Sequence, residues 1–160
     1  MGLKLVESEQ FKAAVGKYPT GITVISTKYN GKPYGFTANS FASVSLEPTL
    51  ISFCLNVKAG SFEAFTNSKH FVINILSSSQ SEIATRFSSH NINKFQNLDY
   101  TENEHGAPII GNVLSFLECE KYDQIEAGDH YIFVGKVLRA VVSSLGTPLV
   151  YYAKSYRELK

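Results

Sequence analysis

Apolar positions in the first quarter of this chain switch from a helical to a strand period. Phe11, Ala14, Val15 and Tyr18 recur at i, i+3, i+4 and i+7, which is one face of a helix. Ser8 stands where an N-cap is expected, Glu9 and Gln10 fall in the first turn, and Pro19 ends the segment. Residues 22–27 are then dominated by β-branched side chains and predict a strand. Asn30-Gly31 is the signature of a two-residue type I′ turn, so the return strand carries Tyr34, Phe36 and Thr37.

Strand signals continue through the rest of the chain. Residues 50–55 form a short apolar run expected to be buried on both sides or nearly so. Gly60-Ser61 turns into a short helix with Ser61 as cap and Phe62 and Phe65 on one face. Residues 71–76 are a further strand, and Ser79-Gln80-Ser81-Glu82 has capping-box spacing ahead of a helix bearing Ile83, Ala84 and Phe87. Residues 88–108 are polar and rich in Asn, and read as a surface excursion. Residues 113–119 and 131–142 are two long strand candidates, joined through Glu126-Ala127-Gly128-Asp129, and a last apolar stretch spans 148–152 with Tyr156 beyond it. Six or seven strands with three short helices, no repeat and no linker predict a mainly β fold. The expected architecture is one domain over residues 1–160, a closed antiparallel β-barrel with helical decoration.

Composition removes several classes of function. The 160 residues carry 15 basic and 14 acidic side chains, which gives no basic field for nucleic acid. No apolar run reaches the length of a membrane span, and residues 1–7 lack the apolar region of a secretory signal, so a cytoplasmic protein is expected. Cys54 and Cys119 lie far apart in apolar surroundings and are expected to be free thiols. His70, His90, His105 and His130 are scattered, and no cysteine pair has metal spacing, so no metal site is expected. Glycine-rich nucleotide loops, a Gly-x-Ser-x-Gly elbow and a His-Glu-x-x-His pair are all absent.

Three segments retain chemical interest. Residues 37–45 mix the neutral hydrogen-bonding groups of Asn39, Ser40, Ser43 and Ser45 with the apolar surface of Phe41 and Val44. That mixture suits a planar ligand with a polar edge, and equally a Ser-rich turn. Residues 56–61 run from a strand end into a helix start, where Lys58 and Ser61 would favour a phosphate or simply a capped helix with a solvated lysine. Residues 127–130 set His130 just after a tight turn, where a histidine is commonly an ordinary surface residue.

In order along the chain, these pieces resemble the flavin reductase-like family, the FMN-binding split-barrel proteins that reduce flavin with NAD(P)H. The resemblance runs from Phe11 to Tyr156. It is carried by residues 11–25, by Thr37-Ala38-Asn39-Ser40-Phe41 with Ser43-Val44-Ser45 and Pro48, and by Gly60-Ser61-Phe62. Residues 71–76 with Gln80, then Phe87, Leu117-Glu118-Cys119, Ala127-Gly128-Asp129-His130, Gly135-Lys136-Val137 and Pro148-Leu149-Val150-Tyr151 complete it.

The resemblance implies a Greek-key split barrel and assigns roles. Thr37, Ala38, Asn39 and Ser40 line the isoalloxazine and ribityl region, with Ser43, Val44 and Ser45 beside the ring. Cys54, Leu55 and Asn56 border the opposite edge, Lys58, Ser61 and Phe62 lie near the phosphate, and His130 positions the pyridine nucleotide. It further implies FMN or FAD as flavin, NADH or NADPH as co-substrate, a homodimer, and a separate flavin-dependent monooxygenase as partner. Hydride transfer needs stacked rings with reacting atoms about 3–3.5 Å apart and no protein nucleophile. An FMN-binding electron carrier that does not use NAD(P)H is the alternative. The adenylate that distinguishes FAD from FMN is left without a seat, residues 88–108 being one place for it.

Overall fold

The computed structural model describes residues 5–144 and 146–160. Residues 1–4, part of the N-terminal segment read above for a targeting signal, lie outside the described residues. In chain order the elements are α1 (Ser8–Val15), β1 (Thr20–Gly21), β2 (Thr23–Tyr29), β3 (Lys32–Ala38), β4 (Ala42–Leu46) and β5 (Thr49–Asn56). They continue with α2 (Phe62–Asn67), β6 (His70–Ile75), a 3-10 turn (Ser78–Gln80), α3 (Ser81–Ser88), β7 (Tyr100–Glu102) and β8 (Pro108–Ile110). The chain ends with β9 (Ser115–Ala127), β10 (His130–Val142), β11 (Leu149–Tyr152) and β12 (Ser155–Glu158). Among the described residues no helix is long and apolar enough to cross a membrane.

The fold is mainly β. Seven strands pair antiparallel in the order β3-β2-β6-β9-β10-β5-β4, and β1, β11 and β12 form a second small sheet. The β2–β3 hairpin turns at Asn30 and Gly31 with φ of 49° and 73°, the left-handed pair that a type I′ turn requires. The long sheet curls, because Phe36 on edge strand β3 packs against Phe53 on β5, with ring centroids 5.8 Å apart. Phe53 also stacks on Phe133 of β10 at 5.1 Å and meets Phe65 of α2 edge-on. These rings, with Ile25, Phe71 and Ile73, form one buried cluster. A second cluster joins Val24, Leu76, Phe87, Phe95 and Leu149. There Gly35 lets Phe87 of α3 rest on β3, since a Cβ at that position would lie 2.8 Å from the ring.

Several expectations need correction. Glu7, with extended backbone, occupies the N-cap of α1 rather than Ser8, and Tyr18 lies beyond the helix end. The apolar stripe is largely exposed: Phe11, Val15 and Tyr18 are 58%, 49% and 74% exposed. The capping box is Ser77 with Gln80, two residues ahead of Ser79-Glu82, because the 3-10 turn precedes α3. Strand β5 is not buried on both faces. Ile51, Phe53 and Leu55 enter the core, while Leu50, Ser52, Cys54 and Asn56 are only half-buried on the other face, the period-2 alternation of a one-sided strand. Residues 88–108 are not wholly a surface excursion, for Phe95 is buried and β7 pairs with β8. Cys54 and Cys119 are free thiols, as expected.

Asn74 ties β8 to the sheet. It is fully buried in mid-strand, its Nδ2 donates to Val24 O and Ser26 Oγ at 3.0 Å each, and its Oδ1 accepts from the Ile110 amide at 2.9 Å. Ser26 Oγ in turn donates to Pro108 O at 2.5 Å. A buried amide satisfied at both ends costs little and fixes the register of what it touches.

Candidate functional site

Strands β3, β5 and β10 end together at one edge of the sheet. The register sets His130 opposite Asn56, and Ile132 opposite Cys54, so these four side chains share one face. A cleft of about 270 Å³ opens there, lined by residues 36–40, by Cys54, Leu55 and Asn56, and by His130. The lining contains no carboxylate.

Local chemistry divides the lining into a scaffold and a set of free groups. Thr37 Oγ1 donates to Ala84 O of α3 at 2.6 Å, so its hydroxyl holds the wall. Ser40 Oγ accepts from the Cys54 amide at 3.0 Å and donates back to Cys54 O at 3.4 Å, clamping the β3–β4 connection onto β5. Ala38 and Leu55 bury their side chains in the phenylalanine core, so they offer only backbone to the cleft. Asn56 uses Oδ1 to accept the Lys58 amide at 2.8 Å, which leaves its Nδ2 donors uncommitted. Burial pushes the Cys54 thiol above its usual range and keeps it neutral.

His130 is the first residue of β10, beyond the two-residue turn Gly128-Asp129, in which Gly128 supplies φ of +66°. Its Nδ1 lies 2.7 Å from Asp129 Oδ1. A carboxylate can only accept, so Nδ1 carries the proton and Nε2 remains for a ligand. The hydrogen bond from His130, followed by its charge, holds the Asp129 carboxyl below the usual carboxylate range.

The remaining residues singled out from the sequence lie elsewhere. Ser43, Val44 and Ser45 are on edge strand β4, beside Ile51 and Leu50 of β5, with Val44 at an irregularity in the pairing. Lys58 is exposed in the turn after β5 and contributes to the depression of Asp129. Phe62 packs edge-on against Tyr131 at 5.1 Å. Ser61 is buried and faces a different cleft, with residues 33–35 and 89–95. Phe36 lines the first cleft and was missed as a site residue; its phenyl ring reads from sequence only as core.

Residues 15–160 match the sequence profile described as flavin reductase like domain. The chain belongs to the flavin reductase-like family. Among relatives, it is 35% identical over 153 residues to the reductase subunit HsaB of a flavin-dependent monooxygenase from Mycobacterium tuberculosis, covering 94% of this chain and 82% of that one. It is 34% identical over 152 residues to a flavin reductase from Pseudomonas putida, covering 94% and 89%. Its fold superposes on the NADH:FAD oxidoreductase SgcE6 of Streptomyces globisporus, solved with NAD and FAD fragments, with a TM-score of 0.91 and 32% identity. That alignment covers 98% of this chain and 97% of the other.

Proposed function

We propose that this member of the flavin reductase-like family is an NAD(P)H-dependent flavin reductase that supplies reduced flavin to a separate monooxygenase. The observation that carries the reading is the convergence of Asn39, Asn56 and His130 on a cleft without carboxylates, with donors left over after the fold's own hydrogen bonds are made. Flavin, FMN or FAD, supplies the redox chemistry when bound, accepting a hydride from the nicotinamide. The residues present fit it. Neutral amides and a neutral thiol hold a planar ring by its polar edge, and no residue lining the cleft carries a carboxylate against charge that builds up on reduction; the neighbouring Asp129 is engaged by His130. Backbone groups of Ala38 and Leu55 and the walls braced by Thr37 and Ser40 keep that cleft open. His130, oriented by Asp129, presents Nε2 to the nicotinamide and positions it against the ring. Ser43, Val44 and Ser45 extend the flavin site along β4, and Lys58, Ser61 and Phe62 attend its phosphate side.

The finer features belong to the same proposal. The curled seven-stranded sheet closes as a Greek-key split barrel, supported by the Phe36–Phe53 contact between edge strand β3 and β5, the strand next to the opposite edge. The protein is one cytoplasmic domain and acts as a homodimer, supported by the exposed apolar face of α1 and by exposed Leu46. The test is to add NADH or NADPH with FMN or FAD under oxygen and follow nicotinamide absorbance. Nucleotide consumption that depends on added protein and flavin is expected. Flavin binding with no nucleotide consumption would leave an electron carrier instead.

A further inference from the structure

A groove of about 810 Å³ lies beside the first cleft of about 270 Å³ and shares Asn39 and Ser40 with it, so the two are continuous. Its walls come from the last turn of α1, from residues 16–21, from residues 39–42, and from Tyr151 and Lys154. The fold holds these walls in place. Ala153 and Lys154 form the two-residue turn between β11 and β12, with φ of 49° and 63°. The Ala153 amide donates to Gly16 O at 3.1 Å, which ties the turn that carries Lys154 to the end of the helix that carries Lys12. Phe41 packs on one apolar cluster and Tyr151 on the other, so both rings are anchored where they line the groove.

Charge and hydrogen bonding in the groove point to an oxygen-rich anion. The lining contains two lysines and no carboxylate. Lys12 pairs with Glu9 at 3.2 Å, but both side chains are exposed and such a contact is weak. Lys154 has no carboxylate partner among the described residues. Thr20, in the same wall, has its Oγ1 buried without a hydrogen-bond partner. A buried hydroxyl left unpaired is costly, and a sugar or phosphate oxygen seated against that wall would supply the missing partner. A dinucleotide is too large for the first cleft alone, and the groove is the space that opens from it at Asn39 and Ser40.

We infer that the groove takes the phosphorylated adenosine end of NADPH, with its base against Phe41 and Tyr151 and its 2′-phosphate on Lys154, and that Lys154 thereby sets a preference for NADPH over NADH. The inference rests on the flavin reductase reading and adds the choice of reductant to it. The two nucleotides differ only by that phosphate. A cation with no counter-ion of its own, in a lining free of carboxylates, favours the ligand that carries the extra negative charge.

Two measurements on the intact protein test it, each with Lys154→Asn and Lys154→Arg beside the parent. Asn suits the left-handed backbone at this position, so the first variant removes the charge without straining the turn. Calorimetric titration compares adenosine 2′,5′-bisphosphate with AMP, which lacks the 2′-phosphate. The bisphosphate should bind about tenfold more tightly, the scale of one charge-assisted hydrogen bond. Lys154→Asn should abolish that difference and Lys154→Arg should restore most of it, with Tm unchanged in both. Steady-state kinetics at saturating flavin then compare kcat/KM for the two reductants. The parent should favour NADPH by about tenfold, and Lys154→Asn should lower the NADPH value by a similar factor with NADH changed by less than about twofold. A bisphosphate that binds no more tightly than AMP, a parent that prefers NADH, or a variant that loses both reductants equally or neither overturns the inference. Consumption of neither nucleotide in the presence of flavin would instead overturn the reductase reading, while the calorimetric contrast would still decide whether the groove reads a 2′-phosphate.

Discussion

Two polar clusters sit on the same sheet and use the same kinds of residue, yet they end differently. Around Asn74, the amide and the Ser26 hydroxyl find partners on every side, and the cluster is sealed. At the mouth of β3, β5 and β10, Thr37 and Ser40 are likewise spent on the fold, but Asn56 Nδ2 and His130 Nε2 are left over. Unspent hydrogen-bonding capacity in a concave place separates a binding wall from a structural polar core. The presence of Asn, Ser and Thr does not.

The sharpest way to break this contrast is to damage the sealed cluster. Asn74→Ala strands several buried groups at once, so it should cost about 3 kcal/mol of stability. Chemical denaturation would measure that loss, and the variant that remains folded should keep its flavin affinity. Thr37→Val probes the boundary between the two clusters. It removes the bond to Ala84 O from a cleft residue, and should cost about 1 kcal/mol of stability with a small change in flavin binding.

The thiols give a second comparison. Burial and the neighbouring Glu118 push Cys119 up to about 12, and it is enclosed in the core. Cys54 is raised by burial alone and lines the cleft. Alkylation at pH 8 should label Cys54 slowly, bound flavin should protect it, and Cys119 should react only in denaturant. Protection of neither thiol by flavin would move the ring away from β5.

Little of this contrast was legible before the fold was known, since Asn74 reads from sequence only as part of the strand at residues 71–76. Asn74 interrupts an otherwise apolar strand, and a polar residue there must find partners. The sequence does not name them, because Val24 and Ile110 reach it only through tertiary pairing. The hairpin at Asn30-Gly31 and the turn before His130 were readable, since left-handed backbone demands particular residues. The separation of Ser61 from the first cleft was not readable, because it depends on where α3 and residues 89–95 fold back over β3. Nor was the exposure of the α1 stripe, since amphipathic spacing says that a face wants cover without saying what covers it.

The smallest expected effect concerns pH. His70 stacks on His105 with ring centroids 3.5 Å apart. Burial, then the charge of His105 and of Lys69, holds His70 below the usual histidine value, while Glu120 and Glu104 oppose them. The unfolded chain therefore takes up a proton near its ordinary pKa of about 6.5 before the native site does. Stability should be full above that pH and decline as pH falls from there to the lower native value. His105→Ala should flatten the decline, as read by Tm between pH 7.5 and 5, and should leave flavin binding unchanged.

The most direct measurement is steady-state kinetics of His130→Gln beside a flavin titration of the same variant. Loss of the imidazole that Asp129 orients should lower kcat/KM for the pyridine nucleotide by about tenfold or more, with flavin affinity within about twofold of the parent. Equal losses in nucleotide use and flavin affinity, or no loss in either, would contradict the role assigned to the cleft.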